Sequence, residues 1–220
     1  MGFYSPSQLI QDARRHHIMV LPVDVNHSSW DHQILSSADQ QQPPIRLGLR
    51  LIKGLSEAAG QRIHTAQRQR TFANVADLRQ RACLDRSDME ALAAADALSG
   101  ISGNRYQSHW QTMALEARRP LLPHDSAAQR SQDDAAVTAA PTLPEDVVAD
   151  YQSTGLTLRS HPLTLLRHQP PFDRCQRQTE LETLGNHRFV RVAGLVTCRQ
   201  RPGTASGVVF LTLEDETGNI

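Results

Sequence analysis

Residues 51–63, "LIKGLSEAAGQRI", contain the only lysine of a chain that has 22 arginines. Lys53 is followed directly by a glycine, and the spacing of apolar residues that is typical of a helix starts immediately afterwards. Gly54 can adopt the positive φ that a tight hairpin needs, and Ser56 can cap the helix. The first N–H groups of a helix have no partner within it and carry the positive end of the helix dipole. The stretch therefore predicts an anion site next to the lysine.

This pattern resembles the helix-hairpin-helix motif, which binds DNA without regard to base sequence. A phosphate of a nucleic-acid backbone suits a site made of backbone N–H groups and one cation. Gly60 and Ile63 fall on the face that would pack against the preceding segment, where a small residue allows close approach. The motif usually has a second hairpin glycine where this chain has Ser56. An ordinary capped helix turn is therefore the alternative for this stretch taken alone.

The hairpin lies in the basic part of an otherwise neutral chain. The 220 residues carry no net charge, and they are enough for one large or two small domains. Between Ile45 and Glu90, nine Lys or Arg residues stand against five Asp or Glu. Neutrality argues against an arm that binds nucleic acid through bulk charge. A local basic patch is still compatible with this composition.

The cysteines and the apolar runs indicate where in the cell the protein is expected. Cys83, Cys175 and Cys198 are odd in number and far apart, so they form neither a CxxC metal pair nor a disulfide framework. No apolar run approaches the roughly 20 residues of a membrane span, and the N-terminus lacks the pattern of a signal peptide. The sequence predicts a cytoplasmic protein without a membrane partner.

Local signals predict helices on both sides of the hairpin and two strands before it. Ser5, Pro6 and Gln8 give a capped helix start. Residues 18–25 and 45–51 have strand character, and the partners of the first strand are expected to lie upstream. Helical periodicity then follows in three stretches: Ser56 to about Arg70, "VADLRQRACL" (75–84) and "RSDMEALAAADAL" (86–98).

The next part of the chain has a linker and two further helices. Residues 117–144 are rich in Ala, Pro, Ser and Asp without a sustained period, which is typical of a linker or a long exposed loop. Glu145 and Asp146 then favour the first turn of a helix for which Gly155 is a C-cap. Pro162 marks the start of a short helix.

The C-terminal part has β character. Residues 188–199 and 207–214 predict two strands joined by a Gly/Pro/Ser turn, and "DETG" (215–218) predicts a tight turn into a third strand that has barely begun at Ile220. A two-stranded ribbon is marginally stable alone. We therefore expect the chain to stop inside a β domain and to be a fragment.

Six ordered segments together resemble the bacterial C-family DNA polymerases, the group that contains the replicative polymerase III alpha subunit. The error-prone branch of that family is the more similar one. The segments are "GFYSPSQLIQDARRH", "PVDVNHSSWD", "IRLGLRLIKGL", "DLRQRACLDRSDMEALAAADAL", "TGLTLRSHPLTLLR" and "VAGLVTCRQRPGTASGVVFLTLEDETG". The resemblance covers nearly the whole chain apart from residues 117–144.

This resemblance implies a mainly helical α+β fold with five parts. They are the tail of a fingers domain (1–35), a tandem helix-hairpin-helix DNA-binding region (36–116), a linker (117–144), a helical connector (145–185) and the first strands of an incomplete OB-fold β-barrel (186–220).

The implied function is DNA binding within an error-prone, translesion DNA polymerase of replication and damage repair. The family's polymerase chemistry uses palm-domain carboxylates that hold two metal ions. Asp133–Asp134 and Glu214–Glu216 do not resemble them and are expected in surface or turn roles. The chain alone is predicted to be inactive and to hold no cofactor, whereas magnesium is expected for the full-length polymerase. The alternative is a free-standing, non-catalytic DNA-binding or scaffold protein in DNA repair.

The DNA-binding residues are expected in two groups. In an OB-fold, cations bind the phosphates of a single strand and flat side chains stack on its bases. Phe189 and Phe210 are candidates for stacking, with a core role as the alternative. Duplex DNA is expected to contact Arg50, Lys53, Gly54, Leu55 and Ser56, and single-stranded DNA to contact Arg191, Arg199 and Arg201.

Other candidates are weaker. "QTMAL" (111–115) resembles the short glutamine-led peptides that bind the sliding clamp, but it lacks their terminal aromatic pair. The sequence therefore leaves open whether a sliding clamp or other translesion-synthesis proteins are partners of this chain. Trp30 and Trp110 are expected as core anchors rather than as platforms for bases. None of the ten histidines has the HxH or HxxxH spacing of a zinc site.

Overall fold

Helices make up most of the regular structure in the described part of the chain. The computed structural model describes residues 5–35, 42–115, 139–185, 187–203 and 207–220. Its α-helices are α1 (Pro6–Arg15), α2 (Glu57–Gln69), α3 (Val75–Arg81), α4 (Arg86–Ala94), α5 (Ser99–Ser102), α6 (Arg105–Ala114), α7 (Leu143–Ser153), α8 (Pro162–Leu166) and α9 (Gln178–Leu181). Its strands are β1 (Val20–Leu21), β2 (Gln33–Ile34), β3 (Ile45–Arg46), β4 (Leu195–Gln200) and β5 (Phe210–Glu214). The predicted mainly helical α+β class is confirmed.

These elements form two compact units, Met1–Leu158 and Arg159–Ile220. The first unit holds α1 to α7 with β1 to β3, and the second holds the remaining elements. The domain limits predicted above stay predictions, and most of the predicted linker lies outside the described residues. Within the ranges that the structure describes, no helix is long and apolar enough to cross a membrane.

Capping residues set the helix limits where the sequence predicts them. The Ser5 hydroxyl accepts from the backbone N–H of Gln8, and the Gln8 side chain accepts from the N–H of Ser5, which completes the predicted capping box. Helix α7 ends at Ser153, and Gly155 follows with a φ of +82°, as expected for a C-cap glycine. These signals lie within a few residues of the helix end, which is why they can be recognised from sequence.

A small sheet joins the N-terminal residues to the segment before the hairpin. Strand β3 lies between β1, to which it is parallel, and β2, to which it is antiparallel. The partner that β1 has in this structure lies downstream. Because β1 is at the edge of the sheet, the expectation of upstream partners stays a prediction. Only Val20 and Leu21 of the predicted strand 18–25 pair with β3. The Leu47 carbonyl, which would bond to the next residue of the ladder, accepts from the Ser28 hydroxyl instead.

The second predicted strand also ends early. Pairing stops at Arg46, and Leu49–Leu51 form a 3-10 helix instead of continuing the strand predicted over 45–51. The backbone turns there because Arg50 N–H donates to the Trp30 carbonyl at 3.0 Å rather than to a strand partner. This turn leads the chain directly into the hairpin.

The core of the first unit is built by α2, α3 and α4 around the segment before the hairpin. Its fully buried side chains come from each of these elements and from the turn after α4. Examples are Leu49, Ile63, Leu78, Met89, Leu92 and Leu98. Helix α1 contributes one buried side chain, Ile10, to the same cluster.

Asn26 fastens the N-terminal part to the helices. Its side-chain amide accepts from Phe72 N–H at 2.7 Å and donates to Phe72 carbonyl oxygen at 3.1 Å, so it pairs with a residue 46 positions away as a neighbouring strand would. The Ser28 hydroxyl donates to the Leu47 carbonyl at 2.7 Å and is fully buried. The segment "PVDVNHSSWD" therefore has a structural role.

The second unit contains an antiparallel pair, β4 and β5, with an irregularity between Val196 and Cys198. Both strands are shorter than the predicted runs. Leu213 and Ile220 exchange backbone hydrogen bonds at 3.0 and 2.7 Å, so the "DETG" turn into a third extended segment is confirmed. The OB-fold itself stays a prediction.

Asp215 organises that turn from a buried position. Its side chain accepts from the backbone N–H groups of Gln178, Thr217 and Gly218 at 2.7 to 2.8 Å. Arg167, which is 7% exposed, donates to Glu216 at 2.7 and 3.1 Å and lies 3.4 Å from Asp215. The predicted turn role is confirmed, but a solvated surface position is wrong for Asp215, which is 2% exposed.

Candidate nucleic-acid interface

The turn before α2 has the geometry that the sequence predicts. Gly54 has a φ of +86°, and the Ser56 hydroxyl accepts from the backbone N–H of Ala59 at 3.1 Å. Leu55, which lies between them, is buried and anchors the hairpin to the core. Both the positive φ at Gly54 and the cap at Ser56 are confirmed.

Helix α2 packs closely on the preceding segment at Gly60. A Cβ at this position would lie 2.9 Å from Cζ3 of Trp30 and closer still to Cε3, so no larger residue fits under the indole ring. Ile63 is fully buried on the same face. The predicted close approach is confirmed, and Trp30 packs against the core as expected.

The start of α2 is not uniformly attractive to an anion. Glu57 occupies the first helical position and is exposed. A carboxylate there interacts favourably with the helix dipole, but it also repels a phosphate at the same helix end. The hairpin is therefore suited to weak rather than tight binding of a phosphate.

Lys53 has partners that the sequence analysis missed. Its ammonium donates to the carbonyl oxygens of Tyr151 and Gln152 at 2.9 and 3.0 Å, at the C-terminus of α7. Its backbone N–H donates to the Ser153 carbonyl at 2.8 Å. These partners are about a hundred residues downstream, and no local pattern indicates the contact.

Arg50 is close to the hairpin but is paired. Its guanidinium lies 2.5 Å from Asp31, and the two side chains are 56% and 66% exposed. An exposed pair of this kind contributes little to stability, so the guanidinium can exchange its partner. A phosphate would have to compete with Asp31 for it.

A second glycine hairpin precedes α6. Gly103 has a φ of +102°, and the Asn104 side chain accepts from the backbone N–H of Gln107 at 3.0 Å. The first turn of α6 has no acidic residue. Sequence reasoning assigned this region to a tandem motif without finding these two residues, although a glycine followed by asparagine before a helix is a recognisable signal.

Comparison with known proteins agrees with this geometry. The family described as "Helix-hairpin-helix motif" matches residues 17–108. An error-prone DNA polymerase of Teredinibacter turnerae is 52% identical over 222 residues, which cover 100% of this chain and 21% of that protein. Proteins of the same name from Saccharophagus degradans and Ralstonia nicotianae are 52% and 49% identical, again with 100% and 21% covered.

The chain is homologous to error-prone DNA polymerases. It spans about a fifth of the length of these relatives. The resemblance to the C-family polymerases and the helix-hairpin-helix motif are both confirmed.

The remaining DNA-binding candidates lie in the second unit. Arg191, Arg199 and Arg201 are exposed, and their contact with DNA stays a prediction. In the strand register Arg199 is opposite Leu211 and Gln200 is opposite Phe210, so Arg199 and Phe210 lie on opposite faces of the ribbon. A strand held by Arg199 would therefore not stack on Phe210. Phe189 is fully exposed and is not part of the core.

The other candidates from the sequence have mixed outcomes. Trp110 is 56% exposed, so the expectation of a core anchor is wrong for it. The segment 111–115 lies at the end of α6 with Thr112 buried. In the described ranges, no group of three or more His, Cys, Asp or Glu could hold a metal ion. The three cysteines are free thiols.

Proposed function

We propose that this chain is a DNA-binding portion of an error-prone DNA polymerase and that it grips the backbone of duplex DNA without regard to sequence. The observation that carries the proposal is the hairpin, in which Gly54 has a positive φ and the Ser56 hydroxyl caps α2 directly after Lys53. The first residues of α2 are exposed, and the N–H groups of a first helical turn have no partner within the helix. Such a helix start is a site for phosphate. The similarity to error-prone polymerases over the whole chain supports the same function.

The proposal extends to the longer protein to which these relatives correspond. We propose that this longer protein copies DNA in replication and damage repair, including damaged templates, and that it uses magnesium as its cofactor. We propose that carboxylates in other parts of such a protein bind this metal; among the residues that the structure describes, no group of three or more His, Cys, Asp or Glu could hold a metal ion. A cytoplasmic location follows from the proposal, since bacterial DNA is there.

Two finer contacts are also proposed. Single-stranded DNA would bind the second unit through Arg191, Arg199 and Arg201, whose exposure supports the proposal. A sliding clamp would bind through residues 111–115, for which the exposed Met113 is the one supporting feature. Titration with labelled single-stranded DNA and a binding assay with purified clamp test the two contacts separately.

The main test is a fluorescence titration of the chain with two short duplexes of unrelated sequence at several salt concentrations. We expect weak and equal binding to both duplexes, with affinity that falls as salt rises. Gly54→Val should abolish most of this binding, because a β-branched residue resists positive φ and would deform the hairpin. Gly207→Val is the matched control, since Gly207 also has a positive φ, +89°, but lies in the second unit.

Either of two results would overturn the proposal. One is a clear preference of the wild-type chain for one duplex. The other is a folded Gly54→Val variant that binds both duplexes as well as the Gly207→Val control does.

A further inference from the structure

Helix α7 ends directly beside the proposed DNA-binding hairpin. Three hydrogen bonds join the two, and all of them are made by Lys53 to the last carbonyl groups of the helix. The backbone N–H of Lys53 bonds to Ser153 at 2.8 Å, and its Nζ bonds to Tyr151 and Gln152 at 2.9 and 3.0 Å. The only lysine of the chain is therefore fixed by an element that begins 90 residues after it.

The carbonyl groups at the end of α7 suit a cation. The last carbonyls of a helix have no partner within it and carry the negative end of the helix dipole. A lysine ammonium has three N–H donors, and two of them are used here. Lys53 is nevertheless exposed, and within the described part of the chain its Nζ contacts no third acceptor. One donor of the exposed ammonium is therefore left for a ligand from solvent.

Contacts that do not involve Lys53 hold α7 in place. Arg105, which is 6% exposed, donates to the Asp146 carboxylate at 2.7 Å and also to Asp150. The Thr157 hydroxyl donates to the other oxygen of Asp150 at 2.7 Å. Val147 is buried as well. The buried carboxylate of Asp150 thus links α6, α7 and the residues after α7.

We infer that α7 is a positioning element for DNA binding, in which the carbonyl groups at its C-terminus hold the Lys53 ammonium where its third N–H donates to the phosphate bound by the hairpin. The inference rests on the proposed function. A lysine side chain that is already ordered loses less conformational freedom when it binds. Asp150 is then a positioning residue for Lys53, although it touches neither Lys53 nor DNA.

Asp150 allows a test in which positioning and bulk charge have opposite effects. Asp150→Asn removes a negative charge from the first unit, so bulk charge alone predicts tighter binding to DNA. If α7 positions Lys53, the same change loosens α7 and weakens binding. Asp88→Asn is the matched control, because Asp88 is also buried, is paired with Arg62 and does not belong to α7.

The experiment titrates the full chain with two short labelled duplexes at several salt concentrations. We expect Lys53→Ala to lower the slope of log affinity against log salt by roughly one unit. Asp150→Asn should lower the slope by a similar amount, and the double variant should show no further loss, because both changes remove the same contact. Asp88→Asn should leave the slope unchanged.

Hydrogen exchange on the wild-type chain gives a second readout that does not depend on a stable Asp150 variant. Duplex DNA should slow the exchange of N–H groups in the last turn of α7, and Lys53→Ala should abolish that effect. An unchanged slope for a folded Asp150→Asn variant, additive losses in the double variant, or an α7 that does not respond to DNA would overturn the positioning role. The proposed function fails separately, if the wild-type chain binds neither duplex.

Discussion

Two carboxylates close to the hairpin limit its attraction for DNA. Asp31 pairs with Arg50, and Glu57 lies at the start of α2. Each therefore competes with a phosphate, either for a cation or for the same space. The residues that bind DNA cannot be considered apart from the acidic residues beside them.

Asp31→Asn should tighten binding to duplex DNA and raise the salt slope by up to roughly one unit, because Arg50 becomes free to bind a phosphate. The measurement is the same salt-dependent titration. Asp12→Asn is a matched control, since Asp12 has the same side-chain exposure of 66% on α1. Equal effects of the two changes would mean that net charge, and not the release of Arg50, is responsible.

Gly60→Ala should destabilise the first unit by up to about 2 kcal/mol. Overpacking against Trp30 costs about 1–3 kcal/mol, which is offset in part by roughly 1 kcal/mol of better helix propensity. Urea unfolding followed by tryptophan fluorescence measures the change, because both tryptophans are in this unit. Gly185→Ala, where a Cβ meets nothing within 4 Å, should change little. A more stable Gly60→Ala variant would contradict the clash.

At the scale of elements, sequence predicts helices better than strands in this chain. The starts of α1, α2 and α8 were predictable because Ser5, Ser56 and Pro162 act on residues within one turn. Strand length depends on a partner elsewhere in the chain, so residues 18–25 and 45–51 were predicted too long. In the candidate site, too, features set by neighbouring residues were predictable and contacts between distant residues were not.

The hairpin itself was predictable, because Gly54 and Ser56 determine it locally. The contact of Lys53 with α7 was not, since it depends on how a distant helix packs. The pairing of Arg50 with Asp31 and the exposure of Trp110 likewise depend on tertiary structure.

The turn after β5 should lose protection in acid. Burial by itself raises the pKa of Asp215, but hydrogen bonds from Thr217, Gln178 and Gly218 outweigh it and hold the pKa below the ordinary 3.8. The pKa of Glu216 is likewise raised by burial but lowered overall, by Arg167, below 4.5. Carboxylates with lowered pKa values stabilise the fold above their ordinary values and lose that contribution as pH falls through the lowered ones.

Hydrogen exchange of residues 213–218 at a series of pH values tests this prediction, after correction for the intrinsic rate. We expect constant protection above about pH 5 and a steep loss below about pH 4. Asp215→Asn should remove most of the pH dependence, and Glu182→Gln, an exposed change directly after α9, should not. Protection that rises in acid would contradict the assignment.

At the scale of the whole molecule, two features favour association of copies. The net charge of the chain is zero, and the β4–β5 pair has exposed apolar side chains. Val196 and Leu211 are 58% and 52% exposed, and the strand register puts them on one face of the β4–β5 pair. A protein without net charge has little electrostatic repulsion between copies. Exposed apolar faces next to unpaired strand edges then favour association.

Replacing both Val196 and Leu211 by Thr should raise the concentration at which the chain associates, as measured by light scattering. Val148→Thr is a control, because Val148 is 56% exposed on α7 in the other unit. DNA binding by the hairpin should be unaffected. A wild-type chain that stays monomeric, with strong protection across Val190–Val196, would show that the ribbon is covered in solution.

The single lysine also allows selective covalent modification of the hairpin. Arginine does not react with the acylating reagents that modify amines, so Lys53 carries the only side-chain amine that such a reagent can reach in this chain. Its rate of acylation reports on one atom, Nζ, which bonds to the carbonyl groups at the end of α7. Acetylation at this atom removes the charge and two of the three donors. One covalent change therefore acts on helix packing and on the anion site together, and the mass of one acetyl group on the peptide that contains Lys53 suffices to follow it.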